Sequence, residues 1–507
     1  MRMVKSLLLG TAAGLIAVGG AQAADLPVKA KAVEYVKICT LYGAGFYYIP
    51  GSDTCIKLGG YLRAEVALNA GGNYSAQYNG VSAANNRLTN YYSMRAREDL
   101  NIDTRTATEY GVVRTYFDAV FTWTTGSYVG TGSATGATGY SATTAGSSSL
   151  NPTDGGISGG SLGVYYAFIQ FAGFTMGKAV SQFDAPWVNY PGNNFDQLVG
   201  GSGSTNGVAQ FTYTADFGQG VTATISAQDQ TQFFTTNIWN TAGMSTTGVL
   251  GGAYGSNDIG GTRSPDIVGT VRVDQAWGLF QASVAAHDNH VGYYGATEVT
   301  GHPEDKWGWA VQLALSIKNI PTGAGDVINI SGVYTEGASR YNFQSLAATS
   351  YSMFGSSNAA YQSIGFAGVS DAVFGPGGNL ELTKTYGFRG AYTHNWSPFW
   401  NTAVYGAWAA VNYSGTAKGL ICGSAAFATL TGTCNPDFNI GQVGVITRWT
   451  PVKNLTFSAD FTYSHLDQKY SGVITTGALT SVAKPAATYE LKDQDTYSLL
   501  LRAQRNW

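Results

Sequence analysis

The stretch LTFSADFTYS, residues 455–464, alternates without a break. Leu455, Phe457, Ala459, Phe461 and Tyr463 are apolar, and Thr456, Ser458, Asp460, Thr462 and Ser464 between them are polar. A β-strand sends successive side chains to opposite faces, so the pattern predicts a strand with one oily and one wet face. The same period recurs over residues 56–68, 92–103, 111–123, 209–216, 221–228, 267–274, 279–287, 307–318, 327–335, 385–394, 400–408, 440–449 and 496–507. Two β-rich segments, 163–172 and 174–183, are ambiguous in face and bring the expected strands to 16.

A soluble sandwich and a membrane barrel share this alternation, and the connections separate them. Short turns fall around Thr106, at Gly173, and at 217–220, 276–278, 319–325, 395–399 and 450–454. Long gaps cover roughly residues 70–90, 125–160, 185–207, 231–265, 288–305, 336–383, 414–438 and 468–494. Long and short alternate strictly. An up-and-down barrel in an outer membrane has this layout, with short periplasmic turns and long external loops. Trp277, Trp396, Trp400, Trp449 and Trp507 fall at the expected periplasmic ends, and Trp123 and Trp307 at external ends. Aromatic girdles belong at both interfaces. The fold expected is all-β, a 16-stranded antiparallel transmembrane β-barrel. The oily face of LTFSADFTYS then meets lipid and the wet face a lumen. Closure also removes every strand edge, as lipid requires.

The N-terminus adds the compartment. Residues 1–23 carry Arg2 and Lys5, an apolar run from Leu7 to Val18, and Ala21-Gln22-Ala23. This reads as a secretory signal peptide. No later run reaches the roughly 18 apolar residues of a membrane helix. The expected division is a signal at 1–23, a periplasmic segment with a disulfide hairpin at 24–54, and the barrel at 55–507. Four cysteines suit an oxidising compartment and allow three connectivities. The simplest are the local pairs Cys39–Cys55 and Cys422–Cys434, each closing one short segment. Charged residues are 12%, about half the usual share, and acidic residues outnumber basic ones. That balance gives nucleic-acid binding no footprint.

The stretch YVKICTLYGAGFYYIPGSDTCIKLGGYLRAEV, residues 35–66, resembles the signature of the alphaproteobacterial outer-membrane porin family. The RAQRNW ending resembles the same family. The resemblance implies a homotrimeric diffusion channel in outer-membrane lipid, passing small hydrophilic solutes and ions and needing no cofactor. It also implies a third external loop folded inward as a constriction.

Alternation assigns the lumen side. Strand one turns Lys57, Tyr61, Arg63 and Glu65 inward, strand two Arg95, Arg97, Asp99, Asp103 and Arg105, and strand three Arg114, Tyr116 and Asp118. Arg502 on strand sixteen and Arg448 on strand fourteen lie nearby, with Arg272 and Asp274 on strand eight and Arg389 on strand twelve further round. Arginines therefore cluster on one wall. Asp184 and Asp196, on the third loop, are expected to face them across a narrow passage. Fixed charge at such a point selects among ions, so Arg63, Arg95, Arg97, Arg114, Asp184 and Asp196 are the candidate constriction. Glu98 breaks the pattern by pointing outward, where a charge on lipid is costly. Either it lies near a membrane interface, or a neighbouring subunit covers it, and trimer contact is the sharper expectation.

Other functions fit less well. The first alternative is a substrate-selective outer-membrane channel, and an outer-membrane β-barrel enzyme comes after it. An enzyme needs a catalytic or metal constellation, and His287, His290, His302, His394 and His465 form no recognisable motif. His287, Asp288 and His290 read as a solvated loop without a third metal ligand. The glycine-rich run 200–207 lacks a phosphate-loop lysine.

Overall fold

The computed structural model describes residues 37–69, 92–124, 161–196, 198–231, 234–344, 347, 349–355, 362–479 and 484–507. The expected signal at 1–23 lies outside the described residues.

The period-2 segments form sixteen barrel strands. In chain order they are β1 (Cys55–Leu68), β2 (Tyr92–Thr108), β3 (Gly111–Thr124), β4 (Ser161–Phe171), β5 (Phe174–Ala179) and β6 (Val208–Asp216). There follow β7 (Val221–Gln228), β8 (Asp266–Gln275), β9 (Gly278–Asn289), β10 (Lys306–Lys318) and β11 (Val327–Glu336). The last are β12 (Lys384–Ser397), β13 (Trp400–Asn412), β14 (Phe438–Val452), β15 (Leu455–Gln468) and β16 (Gln494–Asn506). Each pairs antiparallel with the next, and β16 returns to β1 in the register Leu68↔Leu499 to Tyr61↔Asn506. The closed ladder satisfies the backbone without an edge.

Exposed Leu62, Phe211, Ile225, Leu313, Phe388 and Val404 lie on the outer face. Trp400 and Trp449 stack at 5.8 Å, and Trp449 and Phe457 at 5.6 Å, near the short-turn ends. No helix among the described residues is long and apolar enough to cross a membrane.

The two ambiguous segments have physical explanations. In β4 the register shifts opposite Asp118 and Ala119, leaving Tyr165 as the extra residue of a bulge. A bulge puts two residues against one and re-aims side chains. Both Tyr165 and Tyr166 consequently turn into the lumen: Tyr165 faces Arg97, and the Tyr166 hydroxyl donates to the Thr205 carbonyl at 2.9 Å. Strand β5 ends at Ala179, short of the expected 183, because the chain then leaves the wall for the lumen. Thr270 on β8 and Ser181 mark this departure: the Thr270 hydroxyl donates to the Gln182 carbonyl at 2.8 Å, and that of Ser181 to Gln228 at 2.7 Å.

Both local disulfides are present, Cys39–Cys55 and Cys422–Cys434. The second ties the helix α1 (Gly415–Cys422) to the chain beyond it. A four-stranded sheet joins Ser350–Gly355 and Ser363–Gly368 to Ala487–Leu491 and Val473–Thr476. Together with the 229–265 loop these segments bury Trp239, Tyr254, Tyr351, Phe366, Tyr413 and Tyr489. The fourth, sixth, seventh and eighth external loops thus share one apolar core, a roof continuous with the inward side chains of β12–β15.

Candidate functional site

Inward residues differ in size around the barrel. On β10, β12 and β13 they include Ala310, Ala314, Gly387, Ala391, Ala403, Ala407 and Ala409. Small side chains let another backbone lie against the wall, and the third loop, residues 180–207, does so. Gly200 has φ +83, and a Cβ there would lie 2.2 Å from the Phe388 carbonyl oxygen. Only glycine fits both that conformation and that approach.

Polar inward residues then fasten the loop. Gln312 donates to the Phe183 carbonyl at 2.9 Å, and Gln281 to that of Asp184 at 2.8 Å. Arg389 is fully buried and donates to Asn189 Oδ1 at 3.0 Å and to the carbonyls of Leu198 at 3.3 Å and Val188 at 2.5 Å, as well as Ser202. Arg448 holds the Gly192 carbonyl at 2.6 Å and Arg502 that of Asn194 at 3.2 Å. Asp460 accepts the backbone N–H groups of Asn194 at 2.6 Å and Phe195 at 3.2 Å. Arg389, Arg448 and Arg502, expected as lumen charges, are therefore anchors of the inward loop. Period-2 reading shows that they point inward. What they meet there is a long-range contact that it does not show.

The loop tip reaches the opposite seam of the barrel. Phe195 packs on Ala67 and Leu500, inward residues of β1 and β16. This sets Asp196 Oδ2 3.7 Å from Arg95 Nη1, while the Tyr190 hydroxyl donates to Asp196 Oδ1 at 2.7 Å. Arg95 also meets Glu65 at 2.5 Å, and Glu65 accepts from Arg502 on its other oxygen. Asp196 thus faces the arginine wall. Asp184 does not. It is buried, takes the Ser202 hydroxyl at 2.5 Å and the Ser204 N–H and hydroxyl at 2.6 and 2.7 Å, and so folds the base of the loop.

Among the described residues the third loop lies against β7–β16, and the large inward residues of β1–β4 lie on the side it does not cover. Arg63 and Arg97 are partly exposed and lie directly opposite in the β1–β2 register. Arg63 Nε donates to Gln504 at 2.8 Å, and Arg97 Nε to Thr122 at 3.1 Å. Lower down, Arg114 and Arg105 share Asp103 at 3.0 and 2.9 Å, and Arg114 also reaches Gln170 at 2.9 Å. Asp99 and Asp118 are buried between these levels, with Asn101 donating to Asp99 at 3.2 Å. Arg105 stacks on Tyr42 and Phe46 at 5.7 and 4.9 Å, and Lys57 Nζ lies 5.9 Å from the Phe46 ring centre. The disulfide hairpin at 39–55 therefore lies at the short-turn end of the barrel beside the cations of β1 and β2. Arg272 and Asp274 line a cavity of about 590 Å³ under the base of the third loop, away from the arginine wall.

His287 corrects the expectation of a solvated loop. It is buried at the end of β9, with Nδ1 2.9 Å from Asp266 Oδ1 and Nε2 3.8 Å from Asp371 Oδ2. Asp371 also binds Ser339 and Thr236, at 2.8 and 2.9 Å, so the histidine pins the roof to the barrel. Among the described residues no His, Cys, Asp or Glu group of three or more is placed to hold a metal.

The comparisons agree with this architecture. The fold is similar to that of the outer membrane channel DcaP of Acinetobacter baumannii, with a TM-score of 0.53, 16% identity, and coverage of 91% of this chain and 99% of that one. Porin Omp2a of Brucella melitensis biotype 1 is 33% identical over 304 residues, which are 59% of this chain and 70% of the relative. Porin Omp2b of Brucella suis is 31% identical over 308 residues, 59% and 69% of the two chains. The porin subfamily model matches residues 25–500. The chain belongs to that subfamily and is a porin of the bacterial outer membrane.

Proposed function

We propose that the chain passes small hydrophilic solutes and ions by diffusion, without catalysis, along the wall formed by β1–β4. Arg63 and Arg97 set its selectivity, and Asp196 on the third loop partly offsets them. The observation that carries this reading is the uneven lumen. The third loop occupies the side lined by small residues, and the charged side chains of β1–β4 border the rest. At the narrow level Arg63, Arg95, Arg97 and Arg502 stand against Glu65 and Asp196, an excess of positive charge. A low-dielectric wall focuses such a field and favours anions.

The test is the zero-current potential in a KCl gradient across planar bilayers. An R63Q/R97Q variant is expected to move it towards cations, and D196N towards anions. Both shifts shrink at high salt, where the Debye length falls to about 3 Å at 1 M. An R63Q/R97Q channel with the wild-type potential contradicts the reading.

A homotrimer completes the proposal. Glu98 points outward between Leu62 and Phe121 and makes no ion pair among the described residues. Lys178, which the ambiguous β5 segment concealed, also lies on the outer side and donates to the Val164 carbonyl at 2.6 Å. Charge facing lipid costs roughly 2–4 kcal/mol for lysine at mid-depth, and less for glutamate. A neighbouring subunit packed on β1–β5 covers both groups. Cross-linking in mild detergent is expected to yield a three-chain species that E98L/K178L retains less well or rearranges. A wild-type monomer rules out the trimer.

A further inference from the structure

The Arg63–Arg97 pair differs from the other inward arginines of β1–β3, Arg95, Arg105 and Arg114, each of which meets a carboxylate. Like charges directly opposite on paired strands destabilise a sheet. The next row up, Glu65↔Arg95, is neutralised, and Arg114 and Arg105 share Asp103. Arg63 and Arg97 face one another with no carboxylate within 4 Å among the described residues, and their Nε atoms are held by neutral Gln504 and Thr122. Of the nearby carboxylates, Glu65 is shared by Arg95 and Arg502, Asp196 is turned to Arg95, and Asp99 lies one row below, facing Tyr61 across the strands.

Each of the two guanidiniums also carries a ring. Arg63 lies 4.4 Å from the centre of Tyr61, and Arg97 lies 5.8 Å from that of Tyr165, the bulge residue of β4. Rings continue below, where Arg114 lies 5.1 Å from Tyr116 and 5.5 Å from Phe168. A planar guanidinium matches a carboxylate in geometry as well as charge. Tyrosine rings beside it favour a flat apolar body.

We propose that Arg63 and Arg97, framed by Tyr61 and Tyr165, form a binding subsite for aromatic carboxylates, a solute class the channel takes in preference to aliphatic acids. The carboxylate bridges the two guanidiniums and supplies the missing negative charge. Its ring lies against the tyrosines. This inference rests on the β1–β4 wall being the passage, and it adds a solute class to that reading.

Benzoate and acetate, added at equal concentration to the channel in KCl, test it by their block of single-channel current. Benzoate is expected to block saturably, with a half-blocking concentration about three- to tenfold below that of acetate. R63Q/R97Q should remove block by both. R63K/R97K keeps the charge but not the planar fork, and should weaken benzoate block. Y61L/Y165L should leave acetate block intact and raise the benzoate value to meet it. Equal block by the two acids in the wild type overturns the subsite, as does benzoate block that survives Y61L/Y165L. If R63Q/R97Q shifts the potential while wild-type block is equal, only the subsite fails. If it shifts neither potential nor block, the passage lies elsewhere and both readings fail.

Discussion

A single arginine shows how parity and partner differ as information. Arg389 is inward by alternation, and its sequence neighbours Gly387 and Ala391 are inward and small. The gap they leave admits the third-loop backbone, and the guanidinium then serves four acceptors on that loop. Removing it leaves buried carbonyls without a donor, at a cost of about 1–3 kcal/mol for each that water does not reach. R389A is therefore expected to lower thermal stability and to raise open-channel current noise, because the loop loses its central anchor. Noise identical to the wild type would place the anchoring elsewhere. Asp184 carries the complementary lesson. Its charge and its place on the third loop suggested a role facing the pore. Ser202 and Ser204, eighteen and twenty residues on, satisfy it instead, and no local pattern announces that contact.

Among the elements, the strands were the most legible. Period 2 and lipid exposure impose the same alternation on every membrane strand, and loop length marks which end is which. The β4 bulge was not legible, because the run GVYYAFIQFA is apolar on both faces and the extra residue shows only in the register with β3. The roof was not legible either. Its core draws one or two side chains from each of several loops, without a period to reveal them. Turns carry their own electrostatics. Asp326 closes the 319–326 turn. Burial alone raises its pKa, but the Asn395 N–H at 2.8 Å and the side chains of His394, Thr322 and Tyr392, at 2.7, 2.7 and 3.0 Å, hold the carboxyl below its usual range. A group whose folded pKa is depressed stabilises above its unfolded value, about 3.9 for aspartate, and loses that stabilisation as pH falls through the folded value. Wild type should exceed D326N in stability at pH 7, with the difference closing as pH falls below about 4. Hydrogen exchange of the β11–β12 strand ends at neutral and acid pH reports it. A difference that widens in acid contradicts the assignment.

At the scale of the whole molecule, the barrel is closed by continuous antiparallel pairing but asymmetric in its contents. Strands β7–β16 are filled by the third loop and roofed by four external loops, while β1–β4 present charge and aromatic rings to the remaining space. The sequence already hinted at this division, since inward positions are arginine, aspartate and tyrosine on the first strands but alanine and glycine on β10, β12 and β13. The inward turn of the third loop was expected from family resemblance alone. Its route across the lumen depends on the small residues and on the three arginines that hold its carbonyls. All four native cysteines are paired, so a single introduced cysteine is the only reactive thiol. The most direct measurement compares Y165C with A314C and A407C, treating open channels with a charged methanethiosulfonate reagent and recording single-channel current. A passage along β1–β4 predicts a stepwise loss of current for Y165C and none for A314C or A407C, whose positions are 2% and 4% exposed behind the loop. Rapid block of A314C or A407C, with Y165C unaffected, would put the passage on the other side of the barrel and contradict it.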